Sequence, residues 1–286
     1  MPIRLSLQQP TPTLADRLRI ADRPQFGIWV CSGSALVAEI CAGAGLDIVL
    51  IDAEHSPNGL ESILAQLQAV AAYPVTPLVR APIGDTVIVK QLLDLGAQNL
   101  LIPMVNSAEQ AASMVAAVRY PPAGVRGVGS ALARSARWNR IDDYLGRADG
   151  LVSLYVQIET MDAVAAVDEI AAVDGVDGLL VGPADLAASM GRLGQQGHPE
   201  VVAAVETAIK AGVAAGKPVG VNAFDPSAAD HYLAVGAQFV LVGADVTLLA
   251  RGSEALADRY IGEAGDAAAA DATAAAAPTT TERTTP

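Results

Sequence analysis

The sequence predicts a single-domain (β/α)8 barrel, a TIM barrel of the α/β class, and three observations predict it. From about Phe26 to Arg251, short runs rich in Val, Ile and Leu alternate with Ala-rich segments of helical spacing. Runs without polar alternation read as strands covered on both faces, as parallel strands are. Eight such runs occur, with seven intervening helical segments and a short one after the last. The junctions also repeat: "AGAGLDIVLIDAE", "DLGAQNLLIPM" and "AVGAQFVLVGAD" each put a glycine where a helix ends, then a short loop, then a strand. At 286 residues the chain is long for an ordinary domain and normal for one barrel. A doubly wound sheet would want a Gly-rich dinucleotide turn after an early strand, and "VCSGSAL" matches that fingerprint poorly.

In order, the strand runs are "FGIWVC", "LDIVLIDA", "TPLVRA", "NLLIPM", "LVSLYVQIE", "DGLLVGP", "PVGVNA" and "FVLVGAD". Helical texture lies between them, as in "LESILAQLQAVAAY", "DTVIVKQLLDLG" and "SAEQAASMVAAVRY". Residues 1–25 read as an N-terminal extension, 26–261 as the barrel and 262–286 as a low-complexity tail. The tail, "GEAGDAAAADATAAAAPTTTERTTP", has almost no large apolar side chain. It cannot bury enough surface to offset its ordering entropy and is expected to be disordered.

Composition removes several classes of function. The chain is 52% hydrophobic, enough for a large core, yet no stretch is apolar and long enough to span a bilayer. The first residues lack the apolar core of a secretory signal. Cys31 and Cys41 form neither a disulfide framework nor a metal spacing, so both read as small buried residues and a reducing cytoplasm is the expected compartment. A net charge of −13 argues against nucleic acid as a partner. Small anions remain admissible, because a local arginine or cation overrides the global field.

Barrel chemistry sits at the C-terminal ends of the strands. By that rule the candidates are Trp29 on the first strand, Asp52, Glu54 and His55 on the second, Arg80 on the third, and Gln157 and Glu159 on the fifth. Asp185 follows the sixth strand, Asn222 ends the seventh and Asp245 follows the eighth. Schiff-base chemistry needs a lysine at a strand end. Lys90 and Lys210 fall in helical segments, and Lys217 precedes the seventh strand at the bottom of the barrel. Glu159 and Asp185, from neighbouring strands, offer oxygen ligands to a hard divalent cation. Each carboxylate alone could equally cap a helix. His55 follows Asp52 by one turn, a spacing at which the carboxylate would orient the imidazole. Arg80 closes an apolar strand, where a guanidinium has no packing role and reads as an oxyanion binder. His198 and His231 read as loop or surface residues. A cation, a base and an arginine at one barrel mouth suit enolate chemistry on a 2-oxo acid.

With these residues in place the chain resembles the HpcH/HpaI aldolases, the metal-dependent (class II) pyruvate aldolases. The resemblance spans about residues 26–260 and rests on "GIWV", "LIDAEHSPN", "KQLLDLGAQNLLIPMV", "RYPPAGVRGVG", "ARWNRIDDY", "VQIET", "GPADLAASMG", "GHPEV" and "GAQFVLVGAD". It implies reversible cleavage of 4-hydroxy-2-oxo acids to pyruvate and an aldehyde, such as succinate semialdehyde in aromatic-acid breakdown. It further implies Glu159 and Asp185 as ligands of Mg²⁺, Mn²⁺ or Co²⁺, with Gln157 beside them and Arg80 on the ketone oxygen. His55 with Asp52 would handle protons, and backbone N–H groups near Ala184 would hold the substrate carboxylate. Trp29 would wall the donor pocket. The implied assembly is a trimer-based homohexamer with exchanged C-terminal helices. An alternative within the resemblance is a lyase acting on a CoA thioester, as in citrate-lyase β-subunit relatives; no Arg/Lys cluster suited to a CoA phosphate is apparent. Asn222 departs from the family, whose members tend to be apolar there, and two readings are open. One is a pocket that takes a more polar donor such as hydroxypyruvate, or a hydroxylated aldehyde acceptor; the other is a carboxamide that only bonds to a neighbouring strand end without touching substrate.

Overall fold

The computed structural model describes residues 11–262. Eight parallel strands close into a barrel in sequence order: β1 (Gln25–Val30), β2 (Ile48–Asp52), β3 (Thr76–Arg80), β4 (Asn99–Ile102), β5 (Ser153–Ile158), β6 (Gly178–Val181), β7 (Val219–Asn222) and β8 (Phe239–Ala244). β8 pairs with β1, with a register shift between Gly27 and Ile28. The predicted helix-ending glycines Gly45, Gly96 and Gly236 all take positive φ, at 92°, 92° and 124°. A β-carbon disfavours that conformation.

Strand alternation sorts the side chains into two cores. Val30, Ile51, Val79, Val156 and Val181 point outward and pack with the surrounding helices. Ile48, Leu50, Leu78, Leu101, Tyr155, Leu180, Phe239 and Leu241 fill the interior. The Phe239 ring occupies the space a side chain on Gly220 would need, which is why β7 carries glycine there. Continuing the same inward parity upward from Gly27, Leu50, Leu78, Tyr155 and Gly220 reaches Trp29, Asp52, Arg80, Gln157 and Asn222. The rim residues are therefore the top layer of the interior.

The segment read as an extension carries a helix, Leu14–Ile20, started by a reciprocal cap between Thr13 and Asp16. Leu14 and Leu18 join the interior cluster, and the Leu14 amide donates to Asn99 Oδ1 at 2.7 Å, at the base of β4. This helix plugs the bottom of the barrel. One compact unit ends at Asp245 and a second begins at Val246. The second contains most of the helix Asp245–Ala257 and a π-helical turn, Asp258–Gly262. Leu248, Leu249, Leu256, Tyr260 and Ile261 are exposed on it. Residues 263–286, nearly all of the tail expected to be disordered, lie outside the described residues. Among the described residues no helix is long and apolar enough to cross a membrane.

Candidate active site

Strands β2 and β3 build one half of the rim. Arg80 Nε and Nη2 donate to the two oxygens of Asp52 at 2.7 and 2.9 Å, and Nη1 lies 2.8 Å from Glu54 Oε2. Asp52 and Arg80 are both buried. A buried guanidinium is tolerable because the bidentate carboxylate fits its planar fork. Burial works to lower the Arg80 pKa, but bonding to and charge from Asp52 outweigh it, and the pKa is raised. The Trp29 ring lies against the guanidinium, 4.4 Å from centroid to Cζ. The Trp29 indole N–H in turn donates to Asn222 Oδ1 at 2.8 Å, so β7, β1, β3 and β2 are joined by one chain of side chains.

The turn after β2 is anchored just as firmly. Asp52 accepts the backbone N–H groups of Glu54 and His55 at 3.0 and 3.2 Å. Its own carbonyl accepts from Ser56 and from Asn58 Nδ2. Asn58 Oδ1 accepts from Ser62 and Gln66 on the following helix, Leu60–Ala69. The residues "SPN" are thus local wiring for the end of the strand.

The other half of the rim comes from β5 and β6. Glu159 is buried and accepts the Met104 N–H at 2.7 Å and the Gln157 amide. Burial, then the charges of Asp185 and Glu54, push its carboxyl up to about 7 against the opposing Met104 bond and Arg80. Gln157 Oε1 is buried with no hydrogen-bond partner. Asp185 stands exposed in the first turn of the helix Pro183–Ser189, where backbone N–H groups such as that of Ala184 have no intrahelical acceptor. Gly182 makes this cluster sterically possible: a Cβ there would lie 2.8 Å from Glu159 Oε2 and 2.9 Å from Gln157 Nε2.

A divalent cation fits these residues. Asp52, Glu54, Glu159 and Asp185 set four carboxylates against one arginine at the same mouth, and the unpartnered Gln157 oxygen adds a neutral donor. An all-oxygen set suits Mg²⁺ or Mn²⁺. Among the described residues no three His, Cys, Asp or Glu side chains converge as a ligand cage, so the protein would supply two carboxylates and leave other positions to water and substrate.

The sequence reading needs two corrections. The Asp52–His55 side-chain pair does not form. Asp52 is committed to Arg80 and takes only the His55 backbone amide, while the imidazole is mostly exposed and lies 4.0 Å from Glu54 Oε2. Glu54 lies close to His55 and is paired in charge with Arg80. Cys31 is not a buried core residue: it is half-buried on the rim, 4.0 Å from Asp52 Oδ2, and burial followed by the charges of Asp52 and Asp245 pushes its thiol up to about 12. Asp245, one of the rim candidates, is fixed to the chain leaving β1, accepting from the Cys31 and Ser32 amides at 2.8 and 3.1 Å. Asn222 reaches the mouth as expected, but its oxygen is spent on Trp29, leaving only its amide nitrogen for a ligand. The sequence reading missed Gly182 and the Met104 amide. The adjacency of "GPAD" to a strand end could have pointed to the glycine; nothing local marks a backbone N–H fifty-five residues away.

An oxygen-lined mouth with one fixed arginine has the chemistry to take a small oxo acid. The family model for HpcH/HpaI aldolase/citrate lyase matches residues 25–252, and the chain belongs to that family, as an aldolase and hence a lyase. It is 55% identical over 238 residues to the hydroxypyruvate/pyruvate aldolase of Deinococcus radiodurans, covering 83% of this chain and 86% of that protein. It is also 55% identical over 240 residues to 4-hydroxy-2-oxo-heptane-1,7-dioate aldolase of Salmonella dublin, covering 84% and 91%. The crystal structure of an HpcH/HpaI aldolase/citrate lyase family protein from Burkholderia cenocepacia superposes with a TM-score of 0.83 at 41% identity, over 87% of this chain and 99% of that one.

Proposed function

We propose that this aldolase cleaves 4-hydroxy-2-oxo acids reversibly to pyruvate or hydroxypyruvate and an aldehyde, in a reaction that depends on a divalent cation. The observation that carries the reading is the open oxygen cluster of Glu159, Gln157 and Asp185 facing the fixed guanidinium of Arg80. Glu159 and Asp185 hold Mg²⁺, Mn²⁺ or Co²⁺, with the Gln157 oxygen beside them. When bound, the cation supplies a Lewis acid for the oxygens of a chelating 2-oxo acid.

The chain's own groups do the rest. A guanidinium has five N–H groups; the bonds to Asp52 engage two of them, and Glu54 pairs with Nη1 in charge without accepting a hydrogen bond. The Nη1 and Nη2 hydrogens left over are available to the 2-oxo oxygen of the substrate, where negative charge appears as the C3–C4 bond breaks. Asp52, Glu54 and Trp29 keep the group from swinging, so little reorganisation is needed at that moment. First-turn N–H groups at Ala184 bind the substrate carboxylate. The exposed His55 ring takes the proton from the C4 hydroxyl as the C3–C4 bond breaks and delivers it to C3 of the enolate, giving the methyl group of pyruvate. In the addition direction it takes a C3 proton from pyruvate and returns it to the new C4 alkoxide, while Asp52 acts on His55 through its backbone. Trp29 and Asn222 wall the donor side. The exposed apolar residues of the C-terminal helix suit a trimer-based hexamer in which neighbouring copies cover them.

Deuterium exchange at the pyruvate methyl group, followed by NMR with cation and pyruvate but no aldehyde, isolates the proton-transfer step. His55→Ala should slow exchange by about 10²–10⁴, whereas unchanged exchange moves the base elsewhere. Borohydride with pyruvate should leave the protein unmodified, and a pyruvyl-lysine adduct in the mass spectrum would overturn the reading.

A further inference from the structure

A second charged group faces a cavity of about 220 Å³ at the opposite end of the barrel. Gly96–Gln98, which lead into β4, and Leu151 and Val152, which lead into β5, line it. It therefore lies at the N-terminal ends of the strands, away from the rim carboxylates. Arg134, Ser135 and Arg137 project into the same space.

Arg134 has a partial structural explanation. Its Nη1 donates to the Leu95 carbonyl at 3.0 Å and its Nη2 to the Leu67 carbonyl at 3.4 Å. Leu95 caps the helix Thr86–Asp94, and Leu67 sits in the last turn of Leu60–Ala69. Each helix C-terminus carries roughly half a negative elementary charge, so the two together offset about one guanidinium. Arg137 is the second. A Cβ built on Gly96 would lie 2.8 Å from Arg134 Nη1 and 3.6 Å from Arg137 Nη1, so both guanidinium groups converge on one point. Among the described residues neither has a carboxylate within ion-pair distance. About one positive charge is left over, in a chain whose net charge is −13.

Three further features point the same way. Ser135 Oγ is buried without a hydrogen-bond partner. Burial and then the neighbouring Arg137 lower the Arg134 pKa to about 10, and burial lowers that of Arg137. Arg137, Trp138 and Asn139 hold φ of 49°, 55° and 60° in succession, a left-handed run that non-glycine residues adopt only under constraint from their surroundings.

We propose that this cavity is a binding site for a small oxyanion, a phosphate or carboxylate group, gripped by Arg137 and Arg134 with the Ser135 hydroxyl as a third donor. An oxyanion neutralises the surplus charge, gives Arg137 the fork-shaped acceptor it lacks and satisfies the serine. At about 30 Å³ per water, the cavity has room for one such ion with a few waters. The site stands independently of the aldolase chemistry.

The test is a thermal-melt titration of the full chain in a zwitterionic buffer free of other oxyanions, with inorganic phosphate in one arm and succinate in the other. The wild type should melt at a higher temperature as one of them is added, with the folded-to-unfolded ratio rising about a hundredfold at a hundred times Kd. The arm that acts at lower concentration identifies the phosphate or carboxylate source. Arg137→Asn, chosen because asparagine tolerates the left-handed backbone, should lose the shift and melt no lower than wild type in ion-free buffer. Ser135→Ala should weaken the shift severalfold and serves alone if Arg137→Asn does not fold. Arg80→Ala, which removes the rim arginine, should keep it. A wild type unmoved by both anions, a shift unchanged in Arg137→Asn or Ser135→Ala, or a shift lost in Arg80→Ala would each overturn the site.

Discussion

The two halves of the barrel rim are made of similar residues and behave as opposites. On the β2–β3 side both Asp52 oxygens are bonded, Arg80 is clamped by two carboxylates, and Trp29 and Asn222 close the chain. On the β5–β6 side Gln157 keeps a buried oxygen without a partner, Glu159 is held near neutrality and Asp185 stands in solvent. The first half is fixed before any ligand arrives. The second is left electrostatically incomplete, which is the arrangement a cation-binding site needs: the same burial that raises the Glu159 pKa makes a divalent ion worth binding.

The strongest way to break that contrast is to remove the cation or its ligands. A chelator should abolish turnover and Mn²⁺, Co²⁺ or Mg²⁺ should restore it. Glu159→Gln and Asp185→Asn should lose cation binding by calorimetry while the barrel stays folded. The sign with pH is specific. Glu159 has a folded-state pKa raised from 4.5 to about 7, so the folded state holds its proton more tightly than the unfolded chain. Its contribution to stability is therefore lost as pH rises from about 4.5 to about 7. The cation-free wild type should weaken relative to Glu159→Gln across that window, and saturating cation should reverse the difference.

Arg80→Ala attacks the closed half. It should bind cation normally and lose about 3 kcal/mol of transition-state stabilisation, or 10²–10³ in kcat, the usual effect of deleting one oxyanion donor. It should also cost stability, by roughly 3–5 kcal/mol, because Asp52 would remain buried without its partner. Arg80→Lys keeps the charge but not the fork or the stack on Trp29, and should fall between the two. Near-normal kcat in Arg80→Ala would show that the guanidinium serves only the fold.

The barrel and its rim were legible in the sequence because both follow from short-range rules. A period of two fixes which residues point inward, glycines mark the helix ends, and the strand-end rule then selects Asp52, Arg80, Gln157, Glu159 and Asn222 without long-range information. What the sequence could not show was which neighbour each rim group chooses. Asp52 lies three residues from His55 and twenty-eight from Arg80, yet it takes the arginine side chain, because β2 and β3 pair Asp52 directly with Arg80. The bidentate pair then leaves His55 only a backbone bond. The plug helix, Leu14–Ile20, was equally hidden: Leu14 and Leu18 are too few apolar residues to announce a core role until the open bottom of the barrel is in view.

The smallest effect expected is at Asn222, which ends the bonded half of the rim through Trp29. If its main role is to hold Trp29, and through Trp29 the face of Arg80, then Asn222→Leu should act by stranding the indole N–H. A buried donor left unpaired costs about 1–3 kcal/mol. Trp29→Phe removes that donor and keeps a ring against the guanidinium. A double-mutant cycle therefore isolates the bond: Asn222→Leu should cost stability in the wild type and almost nothing in Trp29→Phe, a coupling of about 1 kcal/mol. The same pair separates positioning from substrate contact. Because the carboxamide oxygen is already taken, Asn222→Leu should lower kcat for pyruvate and hydroxypyruvate alike, leaving the ratio of their kcat/KM values within about threefold, less than the roughly tenfold that 1.4 kcal/mol of selective binding would give. A larger shift towards pyruvate, persisting in Trp29→Phe, would mean that the amide nitrogen reads the donor's hydroxyl directly, and Asn222 would then belong to the open half of the rim.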